Sequence, residues 1–361
     1  MMDKKKVSIY DIAKELKISA STVSRALNNH KGISSEVSEA VHKLAKELNY
    51  KPNQMAVALK TGKIKTIGMI VPLIDRNYFV QAIAGVETEI YKAGYNLIIA
   101  TSGNLFEREK KIIASLSQGK VVGIIAAVAA ETTDYSHYVS LVESGIPLVM
   151  FDRKMAIPNT SSVVQDDYNG AYEATKHLIE QGCKRIFFYR GPQNVSIWSE
   201  RDRGYRQAMS DYGLEVTNKH IHTALTTEEE GRKYAIKLSA QKNQQLPDGI
   251  LFSGDFAAKA AMEVFVEKGI KIPQEIAIVG FVNEPWDVLL NPPLSSIEQF
   301  SYRIGKTSAR LMLEAISGMP YQDIVYKPQL IVRESSLKST YLKSKYKPHK
   351  YLINRELPLA I

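Results

Sequence analysis

Residues 50–62 read YKPNQMAVALKTG, and the chain changes character on either side of them. Before this stretch the sequence is basic and spaced like short helices. From Lys65 onward short apolar runs alternate with helical ones for some 270 residues. Within the stretch, Lys51-Pro52 starts a short helix with Asn53 as N-cap, and Gly62 stops it. Gln54 to Lys60 is about two turns, far short of the roughly 12 residues that an isolated helix needs in water. Met55, Ala56 and Leu59 fall on one face, so that face needs a partner. By local pattern this is a linker helix. Between two unlike modules it reads as a conditional hinge.

The 361 residues suffice for two or three compact units. No run of 18 apolar residues occurs, so no membrane-spanning helix is expected. The opening MMDKKKVSIYD has positive charge but no apolar segment behind it, from which a cytoplasmic protein is expected. Cys183 is the single cysteine and is expected to be a buried, inert thiol. The net charge of +9 divides unevenly: residues 1–65 carry +7, residues 336–361 carry +5, and the remainder carries −3. A basic head on a mildly acidic body predicts that a polyanion meets the head.

Within the head, Ser8 and Asp11 fit a capping box, and Ile9, Ile12, Ala13 and Leu16 follow at helical spacing. Ser19 caps a second helix, in which Val23, Ala26 and Leu27 face inward. A third runs from Ser34 to Leu48 with Val37, Val41, Leu44, Ala45 and Leu48 on its apolar side. Two short helices joined by a tight turn and braced by a third predict a helix-turn-helix. Lys17 occupies the turn position that usually takes glycine, at roughly 1 kcal/mol for its left-handed backbone. Ala20, Ser21, Thr22, Ser24 and Arg25 are small or donor-bearing, which suits a helix lying deep in a major groove. Arg25 has the fork for guanine O6 and N7.

The body reads differently. IGMIVP (67–72), YNLIIAT (95–101), GIIAAV (123–128) and PLVMFD (147–152) are nearly continuous apolar runs. Helical segments Phe79–Ala93, Glu107–Gln118 and Tyr135–Ser144 separate them. The pattern restarts with RIFFYRG (185–191), a strand near His220–Thr223, GILFSG (249–254) and IAIVGF (276–281). Its helices are Tyr168–Gln181, Arg203–Tyr212, Glu228–Ala240 and Phe256–Lys268. Such alternation predicts two doubly wound parallel sheets side by side, with a ligand cleft at the strand carboxyl ends. The close pair His220 and His222 is expected on opposite strand faces, and no cofactor or metal is expected. No G-x-S-x-G, H-E-x-x-H, Walker loop or C-x-x-C occurs, so an enzyme is not expected.

The chain closely resembles the LacI/GalR family of bacterial transcription regulators. The residues that carry this are VSIYDIAKELKISASTVSRALNNHKGISSEV in the head and KPNQMAVALKTGKIKTIGMIVP at the junction. In the body they are RNYF (76–79), FDR (151–153), DYNGAYEATKHLIEQGCKRI (167–186), GP (191–192), ERDRGYRQAM (200–209), IVGF (278–281), PPLSSIEQ (292–299) and LIVRESS (330–336). The resemblance implies a helix-turn-helix domain over 1–50, a hinge helix over 51–63, and a two-lobed, periplasmic-binding-protein-like body over 64–336. Lobe 1 would be about 64–163 and 293–324, and lobe 2 about 164–290 and 325–336. Residues 337–361 form a basic tail without leucine heptads, which argues against a tetramer-forming helix.

The resemblance further implies a homodimer on double-stranded DNA bearing a near-palindromic operator, and a small-molecule effector, a sugar or sugar derivative. DNA contacts would come from Tyr10, Ser19, Ala20, Ser21, Thr22, Arg25 and Asn28, and from Ala56, Leu59 and Lys60 on the hinge, with Leu59 wedged between base pairs. Effector contacts would come from Asn77, Phe79, Asp152, Arg201, Asp255 and Asn283. The chain departs from the family's sugar-site pattern at Val282 and Thr226. A ligand-controlled, sequence-specific repressor is the expectation. A solute-binding protein or an architectural DNA-binding protein is the alternative, opposed by the hinge and by the cleft-bearing body respectively.

Overall fold

The computed structural model describes residues 7–27, 30, 32–48, 50, 65–240 and 246–338. Chain contacts divide it into two compact units, Met1–Ile64 and Lys65–Ile361. Asn28, the hinge residues Ala56, Leu59 and Lys60, and the tail beyond Lys338 lie outside the described residues. No helix among the described residues is long and apolar enough to cross a membrane.

The first unit holds helices α1 (Ile9–Glu15), α2 (Ala20–Leu27) and α3 (Ser35–Glu47). Each starts where a short polar side chain satisfies otherwise unpaired N–H groups. The Asp11 carboxylate accepts from the Ser8 backbone N–H at 2.7 Å, Ser19 Oγ accepts from the Thr22 N–H at 3.0 Å, and Ser34 Oγ accepts from the Val37 N–H at 3.4 Å. Ile12, Ala13, Val23, Ala26, Val41 and Ala45 are buried together as its core. Lys17 turns the chain between α1 and α2 at φ 50°, as the sequence requires.

The second unit is built on two parallel sheets. The first contains β1 (Thr66–Val71), β2 (Asn96–Thr101), β3 (Gly123–Ala126), β4 (Leu148–Phe151), β5 (Ser161–Gln165) and β11 (Asp323–Tyr326), ordered β11-β5-β4-β3-β1-β2. Helices α4 (Asn77–Lys92) and α11 (Ser301–Ile316) cover one face, where Ile67, Met69, Val71, Val86, Ile304 and Met312 interlock. Helices α5 (Phe106–Gln118) and α6 (Ser136–Glu143) cover the other, over Ile70, Ile124 and Met150. β1 is buried along its whole length, which is why it reads as a continuous apolar run. Helices α4 and α11 pack backbone to backbone at two glycines: a Cβ at Gly85 would strike the Tyr302 carbonyl, and one at Gly305 that of Ala82.

The second sheet, ordered β7-β6-β8-β9, comprises β6 (Ile186–Arg190), β7 (Ile221–Thr223), β8 (Gly249–Phe252) and β9 (Ala277–Val279). Helices α7 (Asp167–Glu180) and α8 (Ser196–Asp211) pack on one face, and α9 (Glu228–Ser239) and α10 (Asp255–Glu267) on the other. The antiparallel pair β10 (Ser296–Glu298) and β12 (Gln329–Ile331) ties together the returning chain segments.

Five features differ from the sequence expectation. β5 and β11 are strands that the polar runs SSVVQ and DIVY do not announce, and α11 is an additional helix. Helix α8 starts at Ser196 rather than Arg203, because its first two turns bury Ile197 and Arg201. Finally, His220 and His222 do not point to opposite faces. Residues two apart on a strand share a side, and these stack on Phe187 (5.3 Å) and Tyr189 (5.2 Å), themselves two apart.

Candidate functional site

On the head, the α2 surface is polar and small. Ser19, Ser21 and Arg25 are exposed, Thr22 is half-buried, and Tyr10 of α1 is 72% exposed. Ser19 Oγ lies 2.7 Å from Ser21 Oγ and 2.8 Å from Thr22 Oγ1, so three hydroxyls cluster at the helix start. Ala20 leans on the head's core rather than outward. Arg25 stands clear in the last turn of α2.

In the body, the strand carboxyl ends of both sheets bring polar side chains together. Asp152 follows β4 in a left-handed conformation (φ 60°) and receives the Tyr78 hydroxyl from the first turn of α4. Burial pushes the Asp152 carboxyl up to about 6, held from going higher by Arg153, whose Nε is 3.5 Å away. From the other sheet comes Arg201, 3% exposed on α8. Its Nε donates to Asp167 at 2.7 Å, its Nη1 donates to the Ser253 carbonyl at 2.9 Å, and its guanidinium lies 3.6 Å from the Phe281 ring centre. Burial raises the Asp167 carboxyl, and the Arg201 cation opposes it. Asp152 feels both Asp167 and Arg201, so these groups from the two sheets form one electrostatic cluster.

Asp255 sits in a second cluster. It opens α10 and accepts from Ser296 Oγ at 2.8 Å and from the Glu284 N–H at 3.1 Å. Asp287, fully buried, faces it, with Arg333 Nη1 at 3.8 Å. Burial and the Asp255 charge push Asp287 up to about 10, and burial with Asp255 pushes Glu284 up to about 7. Burial raises both carboxyls, and the Asp255 charge adds to the rise at Asp287.

The other expected cleft residues are engaged elsewhere. Asn77 is half-buried at the start of α4, its amide oxygen 3.4 Å from Gln81 Nε2. Phe79 is 5% exposed and packs edge-on against Tyr78 and Phe151 in the first core. Asn283 donates to Glu298 at 2.7 Å and accepts from Arg333 at 2.6 Å, bracing the crossover segment. Sequence reasoning passed over Tyr78, Arg153, Asp167, Glu284 and Asp287. Tyr78 and Arg153 stand inside the quoted RNYF and FDR runs and Asp167 opens DYNG, so adjacency was the available signal.

Further contacts join the two sides of the body beside these clusters. The Arg76 guanidinium lies 4.3 Å from the Phe256 ring centre, and that of Arg153 lies 5.8 Å from Trp198. Asn194 Nδ2 donates to the Ala130 carbonyl at 2.6 Å.

Comparison with known proteins agrees with this architecture. Residues 8–53 match the model for bacterial regulatory proteins of the lacI family, and residues 175–336 match a periplasmic binding protein-like domain. The chain is 31% identical over 335 residues to the HTH-type transcriptional repressor PurR of Haemophilus influenzae (strain PittEE), covering 91% of this chain and 98% of that one. It is 32% identical over 331 residues to a ribose operon repressor of Halalkalibacterium halodurans, covering 91% and 97%. Among solved structures, a complex of the transcriptional regulator CelR with cellobiose superposes with a TM-score of 0.69 at 25% identity, over 91% of this chain and 100% of that one. The lac repressor dimer bound to operator and an anti-inducer gives 0.82 at 21% identity, over 92% and 100%, a likeness of fold. A capped helix-turn-helix unit, a twin-sheet body with polar groups converging at its strand ends, and relatives matched over nearly their full length make one case: the chain belongs to the lacI family of bacterial regulatory proteins, as a non-enzymatic DNA-binding repressor with an effector-binding domain.

Proposed function

We propose that this repressor acts as a homodimer on a near-palindromic operator, and that a carbohydrate or carbohydrate derivative held between its lobes controls operator affinity. The observation that carries the effector reading is the buried cluster Tyr78–Asp152–Asp167–Arg201. It draws acceptors and donors from both sheets to the strand ends, where ligands of twin-sheet proteins bind. Such groups suit hydroxyl-rich ligands, and relatives named for ribose and cellobiose support the class. Asp152 and Arg201 are the first-choice contacts, with Asn77 and Asp255 at the margins of the cleft.

For DNA, Arg25 is proposed to read a base edge, with Ser21 and Tyr10 beside it and Ser19 and Thr22 holding the start of α2. Asn28, Ala56, Leu59 and Lys60 remain proposed DNA contacts from sequence. A homodimer is supported by the apolar edge of the first sheet, where Ile98 and Ile99 on β2 and Tyr91 on α4 are exposed.

The test is operator selection from random DNA with the full chain, followed by binding titrations with and without ribose, cellobiose and related sugars. A sugar at 100-fold its dissociation constant adds about 2.7 kcal/mol of folding stability, which a thermal-shift panel detects. Absence of any sequence preference, or of any sugar that moves both stability and operator affinity, refutes the proposal.

A further inference from the structure

Arg201 meets its partner because two helices touch at their backbones. β5 ends at Gln165, Asp166 caps α7 through the Asn169 N–H (3.0 Å), and Asp167 is the first residue of that helix. One residue on, the Tyr168 carbonyl occupies the place that a Cβ on Gly204 of α8 would take, so glycine is what lets α7 and α8 come this close. Arg201 stands one turn before Gly204 on α8 and is set against Asp167 at 2.7 Å, both side chains almost wholly buried. The Gln165 amide donates to the same carboxylate at 3.0 Å and fixes it from the strand side.

The same pairing recurs in both clusters. Arg153 lies 3.5 Å from Asp152, Arg333 lies 3.8 Å from Asp287, and Arg76 lies 3.9 Å from Asp75. Burial and Asp255 raise the Glu284 carboxyl, and Arg76 opposes them, so its charge acts on a second acid. Each of these arginines therefore already faces a carboxyl, and Asp255 stands beside Asp287 as a further acid. A phosphate or carboxylate entering such a site has to take an arginine from its aspartate and leave that aspartate buried alone. A hydroxyl asks for no such exchange. A paired guanidinium still donates to it, and a carboxylate still accepts from it.

We infer that this charge matching selects the effector: an uncharged carbohydrate is accepted, sugar phosphates and sugar acids are rejected, and Asp167 is the residue that decides it at Arg201. The inference rests on the carbohydrate reading above and narrows it. Discrimination here comes from what an anion would have to break rather than from a contact that an uncharged sugar gains. Taking the charge off Asp167 leaves Arg201 as a buried cation without its ion-pair partner, which is the group an anionic ligand seeks.

The test is calorimetric titration of the full chain with matched sugars: glucose beside glucuronate and glucose 6-phosphate, and ribose beside ribose 5-phosphate. The expected result is saturable binding of at least one uncharged sugar, with its charged counterparts at least about tenfold weaker. In Asp167→Asn the ratio of the two affinities moves toward the charged sugar by about tenfold or more, the worth of one hydrogen bond to a charged group. That gain fades at high salt. A merely structural loss weakens both members of a pair alike and leaves their ratio where it was. Asp152→Asn changes a carboxyl that burial already raises to about 6, releases Arg153, and reads the same ratio where Asp167→Asn does not fold. Wild-type protein that binds glucuronate or a sugar phosphate more tightly than the uncharged sugar overturns the inference and leaves the carbohydrate reading standing. An unchanged ratio in folded Asp167→Asn, or in Asp152→Asn where the first does not fold, also overturns it. No saturable binding up to about 10 mM of any sugar in this set or the panel above, charged or uncharged, overturns the carbohydrate reading and this inference with it.

Discussion

Replacing Arg201 by alanine removes the cation that holds the two lobes' carboxyls in one cluster. The wild-type guanidinium makes two hydrogen bonds, to Asp167 at 2.7 Å and to the Ser253 carbonyl at 2.9 Å, and stacks on Phe281. Both partners of the ion pair are almost wholly buried, at 3% and 6%. Without Arg201, the Gln165 amide remains beside the Asp167 carboxylate, donating at 3.0 Å. Breaking a buried pair on one side costs about 3–5 kcal/mol, a large part of the roughly 5–15 kcal/mol that holds a typical protein folded.

The cost has a pH signature. Burial already raises the Asp167 carboxyl, and losing Arg201 removes the main opposing influence, so the folded-state pKa rises further. A carboxyl raised in the folded state binds a proton there that the unfolded chain releases. The variant is therefore least destabilised below the unfolded carboxylate pKa, about 4, and loses more as pH climbs through the folded value. Urea titrations of wild type and variant at about pH 4.5 and 8, followed by tryptophan fluorescence, measure the difference. Adding Asp167→Asn to the variant recovers part of the loss at the higher pH, because no lone charge remains buried. A loss under about 1 kcal/mol that is equal at both pH values is the behaviour of an exposed pair, and would refute the assignment of Arg201 as a buried charge.

Arg25→Ala is expected to cost about 1–3 kcal/mol on the preferred operator, concentrated at one base pair per half-site; equal weakening on every sequence would show a phosphate contact instead. Ser19→Ala removes the acceptor for the Thr22 N–H and is expected to destabilise the head by about 1 kcal/mol, read by helical circular dichroism on heating. Glu284, pushed up to about 7 by burial and Asp255, contributes a stability loss that develops as pH rises from its ordinary value of 4.5 to about 7. Glu284→Gln should remove that component from the pH profile of the urea midpoint, and an unchanged profile would assign the slope to other groups.

The head was legible in sequence because its information is local. Ser8 with Asp11, Ser19 and Ser34 each cap a helix within three residues, and Ile12, Val23 and Val41 recur at helical spacing, so neighbours along the chain decide the elements. The central strands were legible for a related reason: β1, β3, β4 and β8 are covered on both faces and read as unbroken apolar runs. Asp152 and Arg201 could be named individually, but not their company. Tyr78 meets Asp152 and Asp167 meets Arg201 only once strand order has been set, across 74 and 34 residues of chain. β5 and β11 stayed hidden because SSVVQ and DIVY are half-polar runs stabilised by each other across some 160 residues. The raised carboxyls of Asp287 and Glu284, both set by burial and by Asp255, belong to the same class. Burial and long-range proximity create them, and a sequence carries neither until the chain has closed on itself.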